Sequence, residues 1–290
     1  MTREIALLTN PAAGRGHAHR VQDDVVARLR AAGADVSVLV GADERESVDL
    51  ARKAVADGVD TLVAMGGDGM LHLAIQAVAR SQTRLGVVPL GTGNDFARSL
   101  GIPREDPFAA ADLVSRGTSR RIDLVRCGDR WFATVMAAGF DAAVNERANA
   151  MRWPHGDLRY TLATLSVLPR WAPVPYTLEL DGVERRVDAM LLAVANTDSY
   201  GGGLQIPAGA VPDDGLLDVI IIKPVSKLEF LKVFPQVRTG QHVHHPAFER
   251  VRVRNVTVAA PGVVAYADGE RLGALPLTVE CVPGAVEVLV

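Results

Sequence analysis

TLVAMGGDGMLHLAIQAVARSQTRLGVVPLGTGNDFAR, residues 61–98, decides the fold. Two short apolar runs, TLVAM (61–65) and LGVVPL (85–90), flank a helix-like stretch at 70–80, and a glycine-rich loop follows each run. Toward the N-terminus the same alternation continues, with IALL (5–8), a helix-like 18–32, VSVLV (36–40) and a helix-like 47–57. Strand, helix, strand repeated in this way means a parallel sheet. In the first helix Val21, Val25, Val26, Leu29 and Ala32 fall on one stripe that faces the sheet, and Gly33 supplies the left-handed residue that ends it. A further helix opens at Asp106, with Pro107 in the first helical position and the apolar face Phe108, Leu113, Val114.

Beyond about residue 120 the texture changes. RRIDLVRC (120–127), RWFATVMAA (130–138), YTLELDG (176–182), RRVDAMLLAVAN (185–196), LLDVIII (216–222), RVRVRNVTVAA (250–260), VVAYADG (263–269), LTVEC (277–281) and AVEVLV (285–290) are β-rich runs separated by Gly, Pro and Asp turns. Such spacing describes an antiparallel sandwich or barrel. Only 143–170 and 225–237 read as helical within it. The 290 residues suffice for two domains, and the boundary is expected near Arg120–Asp123.

A composition of 48% hydrophobic and 22% charged residues excludes disorder, collagen and a disulfide scaffold. Lys+Arg 31 against Asp+Glu 34 leaves a net charge of −3, without the basic excess of duplex-binding proteins, so nucleic acid is not an expected partner. Cys127 and Cys281 show no ligand spacing, which fits free thiols in a reducing compartment and argues against a sulfur-held metal. MTREIALLTN carries charge where a signal peptide needs its apolar core, and no stretch approaches the ~18 apolar residues that span a bilayer. A cytoplasmic chain is expected, one still able to lie on a membrane surface.

Glycine-rich loops sit where phosphate sites belong, at the carboxyl ends of the expected parallel strands and ahead of helices. They are NPAAGRG (10–16), GGDG (66–69) and PLGTGNDFAR (89–98). Small residues let backbone N–H groups approach oxyanions closely, and the helix dipole adds to the attraction. Each loop alone is also what an ordinary strand-to-helix turn looks like; together they are stronger. None matches G-x-x-x-x-G-K-[ST] or places G-x-G-x-x-G after the first strand, so neither a P-loop nor a dinucleotide fingerprint is present. Asp68 either binds magnesium, poises a hydroxyl for attack, or caps the helix beginning near Met70. Read alone, Asp268-Gly269-Glu270 is a hairpin turn and Asp213-Asp214-Gly215 a polar turn before LLDVIII.

NPAAGRG, GGDG, PLGTGNDFAR, VPDDGLLDV (211–219) and ADGE (267–270) occur in the order and at the spacings of the diacylglycerol-kinase-type lipid kinases. Over essentially its whole length the chain resembles a bacterial soluble member of that family, which includes sphingosine kinases and shares its N-terminal fold with NAD kinases. The resemblance implies an ATP-binding α/β domain with a parallel sheet over 1–122, to which residues about 275–290 return. It implies an antiparallel β-sandwich over 123–274 that holds the lipid, with the active site in the cleft between the two. Nucleotide contacts would come from Asn10, Pro11, Ala12, Ala13, Gly14, Gly66, Gly67, Asp68, Gly69, Met70, Leu71, His72, Thr92 and Asn94. Asp68, Asp95 and Asp123 would belong to the catalytic magnesium network, and Glu270 would be the general base with Asp268 beside it. A second, structural magnesium would sit on Asp214 with the carbonyls of Val211 and Leu216.

Phosphoryl transfer needs positioning, charge neutralisation by a divalent cation and a carboxylate to accept the alcohol's proton, and hard oxygen ligands suit magnesium. The activity implied is ATP- and magnesium-dependent phosphorylation of a lipid hydroxyl, diacylglycerol to phosphatidic acid foremost, in the cytoplasm at the inner face of the membrane. Another lipid, NAD, and a non-catalytic nucleotide- or lipid-binding module are the competing readings, and a homodimer is left open.

The sequence departs from the family pattern at Met70, where Thr is usual, and at His72-Leu73, where Asn-Glu is usual. Gly41 replaces a nucleotide-contacting Thr and Arg15 a Lys. None of these touches an acidic site residue, and losing the Asn-Glu pair, which NAD kinases use to hold their substrate, disfavours NAD. Residues 147–171 mix Arg147, Arg152, Trp153, Arg159, Tyr160, Arg170 and Trp171 with Leu158, Leu162, Leu165 and Leu168. Such a segment suits an anionic bilayer, although an amphipathic helix packed on the sandwich is the more ordinary reading. His242, His244 and His245 lie in a Pro-containing loop without a complete metal-ligand set.

Overall fold

The structure, a computed structural model, describes residues 2–10, 17–151, 162–163, 166–167 and 171–290. They fall into two compact units. The first comprises Met1–Leu124, Arg130–Ala133 and Val282–Val290; the second comprises Val125–Asp129 and Thr134–Cys281.

In the first unit β1 (Arg3–Thr9), α1 (His17–Ala31), β2 (Ala34–Leu39), α2 (Glu44–Ala56), β3 (Thr61–Gly66), α3 (Asp68–Val78) and β4 (Arg84–Pro89) alternate along the chain. The strands pair in parallel in the order β2-β1-β3-β4. Within β3 and β4 nearly every residue is buried, which is why they read as unbroken apolar runs, whereas edge strand β2 buries only Val36. Val25, Val26 and Leu29 of α1 are buried, each contributing roughly 1.5–3 kcal/mol, while Ala32 lies beyond the helix and is exposed. Gly33, at φ +88°, ends it. A five-residue helix, α4 (Asp95–Ser99), has no counterpart in the sequence pattern. In α5 (Pro107–Arg116) the Asp106 carboxylate accepts N–H bonds from Phe108 (2.9 Å) and Ala109 (3.0 Å). The residues α5 buries fully are Ala110, Ala111 and Val114, and Phe108 and Leu113 are only partly covered.

After β5 (Ser119–Cys127) and β6 (Arg130–Phe132) come β7 (Val135–Gly139), α6 (Phe140–Ala150), β8 (Val174–Leu180), β9 (Val183–Ala189), β10 (Leu191–Ala195) and β11 (Leu217–Ile222). Then follow α7 (Lys227–Val233), β12 (Phe248–Val253), β13 (Asn255–Ala259), β14 (Val264–Ala267), β15 (Glu270–Ala274) and β16 (Leu277–Leu289). In the second unit β12-β11-β10-β7-β14-β15 form one antiparallel sheet. The first half of β16, β13, β8 and β9 pair antiparallel in another. The later part of β16 belongs to the first unit, where Val288 pairs in parallel with Leu85 of β4.

Several runs divide differently from their apolar pattern. RRVDAMLLAVAN is two strands, because β9 pairs with β8 while β10 pairs with β7 and β11. The run RVRVRNVTVAA changes sheet in the same way at Arg254, between β12 and β13. Conversely LTVEC and AVEVLV are one strand: Val282-Pro283-Gly284 is not a turn but an irregularity inside β16, with Gly284 at φ +57°. The helix expected over 143–170 is α6 at its start, and most of its remainder lies outside the described residues. Over 225–237 only seven residues are α-helical before Phe234–Arg238 tightens into a 3-10 turn containing Pro235. Among the described residues no helix is long and apolar enough to cross a membrane, and Cys127 and Cys281 are not joined in a disulfide.

Candidate active site

Two of the glycine loops meet backbone to backbone. A Cβ on Gly91 would lie 2.6 Å from the Gly67 Cα, and the Leu90 N–H donates to the Gly66 carbonyl (2.8 Å). Helix α3 begins at Asp68 with Gly67 as its N-cap, so Asp68 does not cap α3. Its oxygens instead accept the N–H groups of Asn94 (2.9 Å) and Asp95 (3.0 Å), the start of α4. Asn94 can turn the loop there because it tolerates the left-handed conformation (φ +51°), and its side-chain amide closes on the Gly91 N–H and carbonyl.

Around Gly93 the carboxylates of Asp68 and Asp95 draw together. A Cβ on Gly93 would lie 2.6 Å from Asp68 Oδ2 and 3.7 Å from Asp95 Oδ2. Asp95 is buried, with Arg98 at 3.7 Å as countercharge. Both are hard oxygen donors of the kind that magnesium takes, and the missing side chain at Gly93 leaves the space beside them open. Asp123, also buried, accepts the Gly284 N–H (2.7 Å), fastening β5 to the irregular part of β16. Among the described residues no three acidic, His or Cys side chains form a metal-sized cluster.

Asn10, Gly41, Asp43, Ser47, Met70 and Leu73 line an open hollow of the first unit. Gly41 is dictated by packing, since a Cβ there would lie 2.5 Å from the Ser47 amide nitrogen at the start of α2. Met70 packs over Gly66, whose added Cβ would lie 2.7 Å from it. Met70 and Leu73 therefore add apolar side chains to a hollow that Asn10, Asp43, Glu44, Arg45 and Ser47 also line. Gly69 and Thr92 are exposed, whereas Leu71 and His72 are buried, Leu71 in the hydrophobic core. Pro11, Ala12, Ala13 and Gly14, with Arg15, lie outside the described residues.

In the second unit Asp268 (φ +52°) and Gly269 (φ +86°) make the two-residue turn between β14 and β15, so the hairpin reading of ADGE holds. The Asp268 carboxylate accepts both the Thr134 N–H (2.9 Å) and the Thr134 hydroxyl (2.6 Å). Glu270 opens β15, half-buried. Thr134 is buried, and its carbonyl accepts the Asn196 N–H (2.8 Å). Sequence reading missed Thr134 and Arg98; the one available signal was a hydroxyl inside the apolar run RWFATVMAA.

Asp214 is already occupied: Oδ1 accepts the Leu216 N–H (3.0 Å), and Oδ2 is paired with Arg252. A cation on Asp214 would have to displace Arg252. Behind it Asp218 is buried beside Arg250 (3.4 Å); burial raises its carboxyl pKa and Arg250 opposes that. The three histidines act separately. His242 is buried in a 3-10 turn on the Ile206 carbonyl (3.0 Å), and burial pushes its pKa down. His245 faces Glu229 (3.2 Å).

Under α7 lies a narrow apolar cavity, about 50 Å³, lined by Leu191, Ile206, Ile222, Phe230, Phe234 and Phe248 among others. Trp171, which the bilayer reading of 147–171 would place at headgroup level, is anchored inward as the packed alternative has it: its indole N–H donates to the Met190 carbonyl (2.8 Å) and its ring meets Phe140 edge-on.

Residues 4–127 match the family described as diacylglycerol kinase catalytic domain, and residues 134–290 match the YegS C-terminal NAD kinase beta sandwich-like domain. A diacylglycerol kinase of Mycobacterium tuberculosis (strain ATCC 25618 / H37Rv) is 43% identical, over 99% of this chain and 94% of its own length. A diacylglycerol kinase of Bacillus subtilis (strain 168) is 30% identical, over 93% and 90%. The crystal structure of a diacylglycerol kinase from Bacillus anthracis str. Sterne shares the fold, with a TM-score of 0.77 at 20% identity over 99% of this chain and 96% of that one. The chain belongs to the diacylglycerol kinase family and is a lipid kinase, for which ATP is the implied phosphoryl donor.

Proposed function

We propose that the chain transfers the γ-phosphate of ATP to the free hydroxyl of diacylglycerol, giving phosphatidic acid and ADP. The observation that carries the acceptor is the apolar, aromatic-walled cavity of the second unit, which suits an acyl chain. At about 50 Å³ it is narrow, so admitting a chain requires Phe230 or Phe234 to yield.

The nucleotide lies against the loops of Asn10, Gly67 and Thr92, whose small residues and N–H groups suit phosphate oxygens. Asp68 and Asp95 would hold magnesium; bound there, it neutralises phosphate charge. Glu270 takes the proton of the lipid hydroxyl as that oxygen bonds to the γ-phosphorus and ADP leaves. Asp268, tied to Thr134, fixes the turn that presents Glu270. Buried Asp123 fastens β16 to β5.

The test is transfer of labelled γ-phosphate, with magnesium present, into diacylglycerol, monoacylglycerol, a sphingoid base and NAD in parallel. Label in phosphatidic acid, absent with Glu270→Gln, is the expected result. Label in another lipid would move the substrate, label in NADP would overturn the lipid acceptor, and ATP binding without transfer would leave a binding module.

A further inference from the structure

Helix α7 has two unlike faces. Phe230, Val233 and Phe234 turn to the apolar cavity, Phe230 edge-on to Phe140 (5.2 Å between centroids). On the opposite stripe Leu228 and Leu231, three residues apart, stand 73% and 47% exposed. Lys227 and Lys232 flank them, while Lys223, ahead of the helix, is paired with Glu249 (3.0 Å). Its one acid, Glu229, faces His245. The helix is held firmly, because the Ser226 hydroxyl accepts the Glu229 N–H (3.1 Å) and Pro235 stops it.

We propose that α7 docks the enzyme on an anionic bilayer, Leu228 and Leu231 sinking into the interface while Lys227 and Lys232 meet lipid phosphates. The proposal rests on reading the cavity as the acyl site. Single exposed leucines are ordinary; two on one stripe, flanked by two lysines and backed by an apolar cavity, are not. The occupant is a membrane rather than a protein. A seven-residue helix is roughly 10 Å long, far too little for the ~800 Å² per partner of a stable protein interface. Weak, reversible, charge-assisted insertion needs no more than this, and it sets the cavity beside the bilayer that supplies its ligand.

Sedimentation of the full chain with phosphatidylcholine vesicles, with and without phosphatidylglycerol, tests this in the absence of ATP. The parent chain should bind the anionic vesicles and lose binding as salt rises. The double variant Leu228→Gln/Leu231→Gln should bind about tenfold more weakly or worse. Lys227→Gln/Lys232→Gln should lose about tenfold and most of the salt dependence. Both should keep the parent's thermal midpoint and its turnover of a monomerically dispersed short-chain diacylglycerol. Parent-like sedimentation of the leucine variant, or failure of the parent chain to bind, overturns the proposal. Docking that depends on Leu228 in a chain that phosphorylates no diacylglycerol keeps the proposal and removes only the substrate.

Discussion

Asp68 and Asp268 each precede a glycine, yet they hold their surroundings in opposite ways. Asp68 spreads its carboxylate over the N–H groups of two successive residues and so starts α4, the helix whose first residue is Asp95. Asp268 gives one oxygen to the two donors of a single residue, Thr134, and leaves Glu270 on a strand that its hairpin already supports. On the proposed roles, scaffold and chemistry share the same atoms in the first unit and are separable in the second.

The sharpest test of that contrast is Glu270→Gln. It should lower turnover by about 10²- to 10⁴-fold while the melting temperature stays put. A fall in melting temperature of several degrees would mean that the second site is as interwoven with the fold as the first.

Asp68→Asn should lose turnover and stability together. The amide nitrogen would face an N–H donor, stranding it at a cost of about 1–3 kcal/mol, readable from urea denaturation. Asp268→Asn is the paired control, since an amide oxygen can still accept both Thr134 donors; stability should change by under ~1 kcal/mol. Equal losses in the two variants would erase the distinction.

Gly41→Thr restores the residue usual in the family and asks whether the first unit tolerates it. Its Cβ would land 2.5 Å from the Ser47 nitrogen and Oγ. Backbone has to move, and the expected loss is about 1–3 kcal/mol in a urea titration. An unchanged midpoint would show that the start of α2 gives way freely.

What the sequence made legible divides along the same line. The parallel strands and their glycine loops are local: a continuous apolar run, then small residues, then a helical stripe. The donors to Asp68 were not legible, because α4 is five residues long and its cap comes from 26 positions away. In the second unit the ADGE turn could be read, but its tie to Thr134 spans 134 positions, and no periodicity reports such a pairing. Sheet changes at Met190 and Arg254 were hidden for a related reason. The strand-like pattern runs on through both positions, and only the pairing partner changes.

The smallest effect expected is in the second unit and depends on pH. Burial holds the His242 pKa below its ordinary value, so the folded chain keeps this imidazole neutral where the unfolded chain, titrating near pH ~6.5, has taken a proton. The stability it permits is complete above about pH 6.5 and declines as the pH falls from there toward the lowered folded value. Glu249 acts in a separate window. Bonding to Arg185 and Lys223 holds its pKa at about 2, so its contribution is present above the ordinary carboxyl value of 4.5 and fades only as the pH drops toward 2. Urea midpoints should therefore fall modestly between about pH 7 and 5.5, and His242→Gln, which can still donate to the Ile206 carbonyl, should flatten that slope without touching the acid limb below it. An undiminished slope in the variant would place the titrating group elsewhere, and would leave the second unit's core as indifferent to protons as its apolar lining suggests.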